Sequence, residues 1–133
     1  MKGSARRTLF ALAAAAAALT TACGQKESSL EYQIAAAIHQ ISPQLPMRVD
    51  DVTTLTAITH EGTNIIYAMA IDQDLPASEI ENARSQMQVS NQTALCAQEM
   101  TLRLIRMGAT MTHRYTDKSG DRFETRVASC PNA

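Results

Sequence analysis

The sequence predicts a small α/β domain of the α+β kind: an antiparallel-rich sheet of about four strands, with helices packed against it and one disulfide. Three observations lead there. Leu30, Ile34, Ile38 and Ile41 recur at helical spacing, and a second helical region runs from about Pro76 to Met107. Two runs rich in Val, Ile, Thr and Tyr, 52–60 and 64–71, flank the turn residue Gly62. A further hairpin closes the chain around Gly120.

The first 22 residues do not belong to that domain. Lys2, Arg6 and Arg7 precede an alanine-rich apolar run, 9–18, which ends in Leu19-Thr20-Thr21-Ala22-Cys23. A basic head, a short apolar run and a small residue before the cut make a secretory signal. The run is too short for a stable transmembrane helix, which needs roughly 20 apolar residues. Its end resembles a bacterial lipobox, with Thr20 where leucine is more usual. The resemblance implies cleavage between Ala22 and Cys23, a diacylglycerol on the Cys23 thiol and an acylated new amino terminus. Several acyl chains together anchor a protein stably where one does so only marginally. Gly24 stands where an aspartate would resemble an inner-membrane retention signal, so the implied address is the outer membrane of a diderm bacterium, with the domain facing the periplasm. The chain thus divides into a signal peptide (1–22), a short lipidated tether (23–29) and a single domain (30–133).

Composition narrows the function. The 111 residues from Cys23 onward suffice for one core. They carry nine basic and thirteen acidic residues, a net charge of −4, which argues against nucleic acid and against electrostatic attraction to anionic lipid. No tryptophan is present and the whole chain has five Phe and Tyr residues, so stacking platforms for sugars or bases are few.

The elements follow in order. A helix over Ser29–Ile41 starts from a capping box of Ser28 and Glu31 and is ended by Pro43 and Pro46. His39, in its last turn, is placed to meet the terminal carbonyls. Strands over Val52–His60 and Asn64–Ile71 form a hairpin through Glu61-Gly62-Thr63. In the second strand Ile65, Tyr67, Met69 and Ile71 point one way, and Ile66, Ala68 and Ala70 the other. Both faces are apolar, so this strand is expected at the centre of the sheet with helix on at least one side. Pro76 suits the first turn of the next helix, Ser78 and Glu81 repeat the capping pattern, and Ile80, Ala83, Met87 and Asn91 trace a weak apolar face. The polar stretch 82–93 reads as a solvated helix, with a frayed helix or one that carries the partner's contacts as the alternatives. From Ala94 a stronger pattern follows, with Leu95, Met100, Leu104, Ile105 and Met107, until Gly108 supplies a left-handed stop beyond Arg103 and Arg106.

The closing hairpin is the most sharply specified piece. Asp117-Lys118-Ser119-Gly120-Asp121 fits a three-residue loop with Gly120 in the left-handed position. Pairing Asp117 with Asp121 sets Tyr115 opposite Phe123, His113 opposite Thr125 and Met111 opposite Val127. Met111, Tyr115, Phe123 and Val127 then share one face, and Thr112, Arg114, Arg122, Glu124 and Arg126 the other. In an oxidising periplasm the two cysteines left after Cys23, Cys96 and Cys130, read as a disulfide. The register agrees, because it brings Cys130 back beside Gly108 and the helix that carries Cys96. The two are too far apart in sequence, and too poor in accompanying histidines, for a metal site.

No catalytic constellation is present: no Ser-His-Asp set, His-Glu-x-x-His, glycine-rich phosphate loop or Cys-x-x-Cys. His39, His60 and His113 fall on three different elements, and Asp50-Asp51 and Glu79-Ile80-Glu81 read as solvated acids of a turn and a helix start. The chain reads as a non-enzyme without cofactor or metal. Ile41-Ser42-Pro43-Gln44-Leu45-Pro46, the hairpin after it, Cys96, the helix ending at Gly108, Tyr115, Gly120 and Cys130 together resemble the β-type pilotin lipoproteins of bacterial type II secretion systems. The resemblance spans about 39–130 and rests on the order and spacing of these features. It implies an α/β fold with a disulfide between the late cysteines. It also implies a partner, the C-terminal tail of a secretin subunit, which the pilotin escorts to the outer membrane by the lipoprotein-sorting machinery. The segment 75–91 and the slightly short Cys96–Cys130 interval depart from the family pattern, so no partner-binding residue is carried over. Two other classes fit the same residues: a lipoprotein of another envelope machine, such as a conjugation or type III apparatus, and a small periplasmic inhibitor or ligand-binding module.

Overall fold

The computed structural model describes residues 29–131, so Ala22, Cys23, the signal and most of the tether lie outside the described residues. Helix α1 spans Leu30–Ile41. Its capping residue is Ser29, whose hydroxyl accepts the Tyr32 N–H at 3.2 Å; the expected cap, Ser28, is outside the described residues. At the other end the Ser42 hydroxyl donates to the Ile38 carbonyl at 2.8 Å, and a 3-10 turn, Ser42–Gln44, leads to a cis Leu45–Pro46 peptide. Strand β1, Met47–Arg48, follows. Two residues directly after a proline carry no periodicity, and for that reason the sheet has five strands where about four were expected.

Strands β2 (Thr53–Glu61) and β3 (Asn64–Ile71) form the expected hairpin, with Gly62 at φ 59° in its turn. Their register slips by one residue, from Leu55 opposite Met69 to Ala57 opposite Ala68. Thr56 is therefore the extra residue of a bulge, and the inward positions of β2 become Thr53, Leu55, Ile58 and His60. A simple alternation along the strand cannot show this phase change.

Helices α2 (Ala77–Cys96) and α3 (Glu99–Arg106) cross over to β4 (Thr110–Thr116), which pairs parallel to β3. A parallel pair needs such a crossover. Pro76 occupies the cap position of α2 with no side-chain cap, and Glu81 pairs with Arg84 instead of closing a box with Ser78. The polar stretch 82–93 is unbroken helix, because Ile80, Ala83, Met87 and Leu95 lay one face of α2 on the core. At Ala97–Gln98 the helical phase is reset. Thr101 and Ile105 now point inward, while Met100 is 71% exposed and Met107 42% exposed. That corrects the single apolar face drawn through Met100 and Met107. A helix restarted after a break presents new residues to the same floor.

Strand β5 (Arg122–Val127) completes the sheet, in the order β1-β2-β3-β4-β5. It pairs with β4 in the expected register, with Gly120 at φ 95° in the turn. Asp117 organises that turn: its carboxylate accepts the Asp121 N–H and the Ser119 hydroxyl at 2.8 Å and the Leu75 N–H at 3.0 Å, which ties the start of the crossover to the hairpin. The three helices lie on one face, over a core of Ile34, Leu55, Ile65, Met69, Ile105, Met111, Tyr115, Phe123 and Val127. On the opposite face Arg114 pairs with Glu124 at 2.8 Å, but Thr112, expected there among exposed polar residues, is buried and donates to Asn64 Oδ1. At the outer edge of β5, α2 occupies the Arg126 position. Gln88 donates to the Arg126 carbonyl at 2.7 Å and accepts the Arg126 N–H at 2.9 Å, as a neighbouring strand would. The disulfide joins Cys96, the last residue of α2, to Cys130 just beyond β5, with 5.6 Å between their Cα atoms.

Candidate functional site

Helix α2 covers the β5 side of the sheet and α1 the β2 side, and the central strands are left partly uncovered between them. The result is a cleft of about 330 Å3, near the lower end of the range for ligand pockets. Its floor is Leu55 of β2, Tyr67 and Met69 of β3, and His113 and Tyr115 of β4. One wall is α2, through Met87, Asn91 and Leu95; the other is the turn after β1, through Val49, Asp50 and Thr53. Each position follows from local rules. The β4 register turns His113 inward with Met111 and Tyr115, and the Thr56 bulge keeps Leu55 and Ile58 on the same face.

Aromatic rings span the floor. Tyr67 stacks on His113 with centroids 4.6 Å apart, His113 lies 6.3 Å from Tyr115, and Tyr115 stacks on Phe123 at 4.7 Å. Asn91 reaches down from α2 and donates to the Tyr115 hydroxyl at 2.8 Å and to Thr125 Oγ1 at 2.9 Å, so a residue of the polar stretch locks helix to sheet. The two buried side-chain polar atoms without a hydrogen-bond partner among the described residues are His113 Nδ1 and Thr53 Oγ1. Both residues line this cleft.

Charge is sparse here. Asp50 is the one ionisable acid or base besides histidine and tyrosine among the lining residues. The Val52 N–H, at 2.9 Å, is the main cause that holds its carboxyl below the usual carboxylate range, with help from the side chain and N–H of Thr53. The Thr53 hydroxyl lies close enough to contribute but outside hydrogen-bonding geometry. Asp50 is thus a fixed negative charge at the rim. Burial pushes His113 down to about 4, so it is neutral at physiological pH.

That value has a consequence for stability. The folded pKa lies below the unfolded 6.5, so the unfolded chain binds the proton first. Stability is unaffected above pH 6.5 and falls as the pH drops from 6.5 towards 4. Between pH 6.5 and 5 the loss is expected to be about 2 kcal/mol. His113→Phe keeps a ring on the Tyr67 stack and should remove this component. Urea denaturation of both forms across that interval checks it, and equal slopes would refute it.

The residues singled out from the sequence fall in two places. Cys96 and Cys130 are joined as expected, at the C-terminal end of α2. Ala22 and Cys23 lie outside the described residues. His113, Thr53 and Asn91 were not recognisable as one site, since they come from three elements 22 to 60 positions apart in the chain; the only available signal was a histidine at an inward register position. Among the described residues no three His, Cys, Asp or Glu side chains converge as a metal site, and no helix is long and apolar enough to cross a membrane.

No protein-family model matches the chain, and no curated protein matches it in sequence. Solved structures do. The pilotin EpsS of the Vibrio vulnificus type 2 secretion system superposes with a TM-score of 0.62 at 16% identity, over 80% of this chain and 94% of that one. The type II secretion pilotin AspS of Vibrio cholerae gives 0.59 at 17% identity, with the same coverage. The chain has the pilotin fold. The Pseudomonas aeruginosa protein PA3611 shares it as well, with a TM-score of 0.62 at 20% identity over 77% of this chain and 91% of that one.

Proposed function

We propose that this chain is a pilotin: an outer-membrane lipoprotein, anchored through acyl chains on Cys23, that binds the C-terminal tail of a type II secretion secretin and accompanies it along the lipoprotein-sorting route to the outer membrane. The observation that carries this reading is the match to two pilotins over nearly their whole length. It is supported by the lipobox-like Leu19–Cys23 stretch, which supplies an address as well as a binding domain. The domain's work is recognition, and no step of it needs a nucleophile or a metal.

Physics favours a groove over the sheet edge as the docking mode. Strand addition needs an unpaired edge, and Gln88 already occupies the Arg126 backbone groups of β5. At the opposite edge β1 has only two residues. A tail disordered alone would have to order on binding, which reduces the net affinity; micromolar to nanomolar dissociation constants are expected as an order of magnitude. Calorimetric titration of the mature chain with the C-terminal tail peptide of the secretin from the same organism tests the reading. Saturable binding is expected, and deletion of the gene should leave secretin subunits unassembled or at the inner membrane. No binding, together with normal outer-membrane secretin multimers in the deletion strain, would end it.

A further inference from the structure

Several surfaces of the described residues are concave; one of about 350 Å3 shares Asp50, Thr53 and Met87 with the cleft, and another of about 460 Å3 lies beside Val89, Cys96 and Pro131. The bare face of the sheet is lined by Ala68, Ala70, Arg114, Arg122 and Glu124, where the Arg114–Glu124 pair satisfies its own charges. The groove between α1 and α3 is about 270 Å3, with exposed Met100 at its rim, and no buried polar atom without a partner lies in it. The cleft between α2 and the β1–β2 turn differs from both. It combines an apolar floor, an exposed apolar rim residue (Val49, 56% exposed), one fixed negative charge and two buried polar atoms without a hydrogen-bond partner among the described residues, of which Thr53 Oγ1 lies near the Asp50 carboxylate.

Leaving such atoms unpaired costs stability, about 1–3 kcal/mol each. A valine in place of Thr53 would fill the same shape without that cost. A threonine at 3% exposure and a histidine at 7% exposure, both lining one cleft, therefore mark a place where polar character serves something other than the free domain's stability. The volume accommodates a few side chains and not a whole helix or strand, so the occupant inserts residues from a backbone that rides above the rim. Asp50 is the single negative charge lining the cleft; Arg48 lies close enough to act on it, but no lysine or arginine lines the cleft itself, which disfavours an acidic occupant and favours a basic one.

We propose that the cleft is the docking site of the partner tail, which enters it with apolar side chains against Leu55, Tyr67 and Met69, a hydroxyl- or amide-bearing side chain beside His113 and Thr53, and a lysine or arginine beside Asp50. This rests on the pilotin reading for the identity of the partner. It adds the site, the chemistry the tail must display and the residues that select it. Docking then replaces an internal deficit with intermolecular hydrogen bonds, which gives specificity against tails that offer only apolar side chains.

The test uses the detergent-solubilised mature chain, a labelled C-terminal tail peptide of the organism's secretin and fluorescence anisotropy, with thermal melts alongside. Val49→Lys places a cation on the apolar rim at an exposed position and is expected to weaken binding by about tenfold or more. Asp50→Asn should weaken binding and flatten its dependence on salt. Thr53→Val should weaken binding several-fold, by about threefold or more, without lowering the melting temperature; a purely structural threonine would show the reverse. Met100→Lys in the α1–α3 groove and Val89→Lys on the outer side of α2 should bind as the unmodified chain does. If the unmodified chain binds and the three cleft variants bind equally well, the cleft assignment is overturned while the pilotin reading stands. Loss of binding in Met100→Lys alone would move the site to the other groove. If the unmodified chain does not bind the tail, both the pilotin reading and the assigned occupant fall.

Discussion

With Cys96 and Cys130 both replaced by alanine, the domain is expected to melt roughly 20 °C lower than the oxidised form. The bridge closes a loop with a sequence separation of 34 residues, and in the chain-entropy account a loop of that size is worth about 4 kcal/mol. That is a large share of the 5–15 kcal/mol typical of a single domain. The position of the bridge amplifies the effect. It ties the C-terminal end of α2 to the chain beyond β5, and α2 is also the wall of the cleft and occupies the Arg126 position at the β5 edge. Without it, α2 is held by Asn91, Gln88 and a modest apolar face. The loss should therefore be accompanied by faster amide exchange along α2 and at Arg126. Calorimetry and hydrogen exchange on the double variant measure both. Free thiols at the two positions in periplasmic material, or an unchanged melting temperature, would contradict the assignment.

Cys23→Ser is expected to abolish acylation and to release the protein from the outer membrane into the soluble periplasmic fraction. The thiol is the nucleophile that the lipobox-like stretch implies will take the diacylglycerol, and a serine hydroxyl is far less acidic and far less nucleophilic. The effect is all-or-none because two or three acyl chains give stable anchoring and none gives none. Metabolic labelling with a fatty-acid analogue, followed by fractionation, decides the matter, and label retained on the serine variant would refute it. Under the pilotin reading the released variant should still bind the tail, so secretin subunits would be held in the periplasm without an outer-membrane address.

The two effects separate folding from address. The disulfide acts on the domain and, under the pilotin reading, the Cys23 acyl group on where it resides, and the cleft can be perturbed without touching either. Val49→Lys in an anchored, oxidised protein should therefore reproduce the assembly defect of the deletion while leaving localisation and melting temperature unchanged.

What the sequence alone determined is local or pairwise. Helical spacing and proline placed α1, β-branched runs placed β2 and β3, and the Gly120 turn fixed the β4–β5 register to the residue, because a three-residue loop allows one pairing. With the register known, two remaining cysteines sufficed for the disulfide. What the tertiary structure decided depends on neighbours that no window of sequence contains. The two residues of β1 form a strand only because β2 is there to pair with them. The Thr56 bulge is visible only against β3, and it moves Ile58 inward. The break at Ala97–Gln98 turns Met100 to solvent, although helical spacing alone put it with Leu104. The polar stretch of α2 proved to be a clamp, since Gln88 and Asn91 satisfy groups on β4 and β5 that are distant in sequence. The cleft is the extreme case. His113, Thr53 and Asp50 carry no shared spacing, and only the gap between α2 and the turn after β1 makes them one surface, because burial and unsatisfied hydrogen bonds belong to the assembled domain and not to the chain.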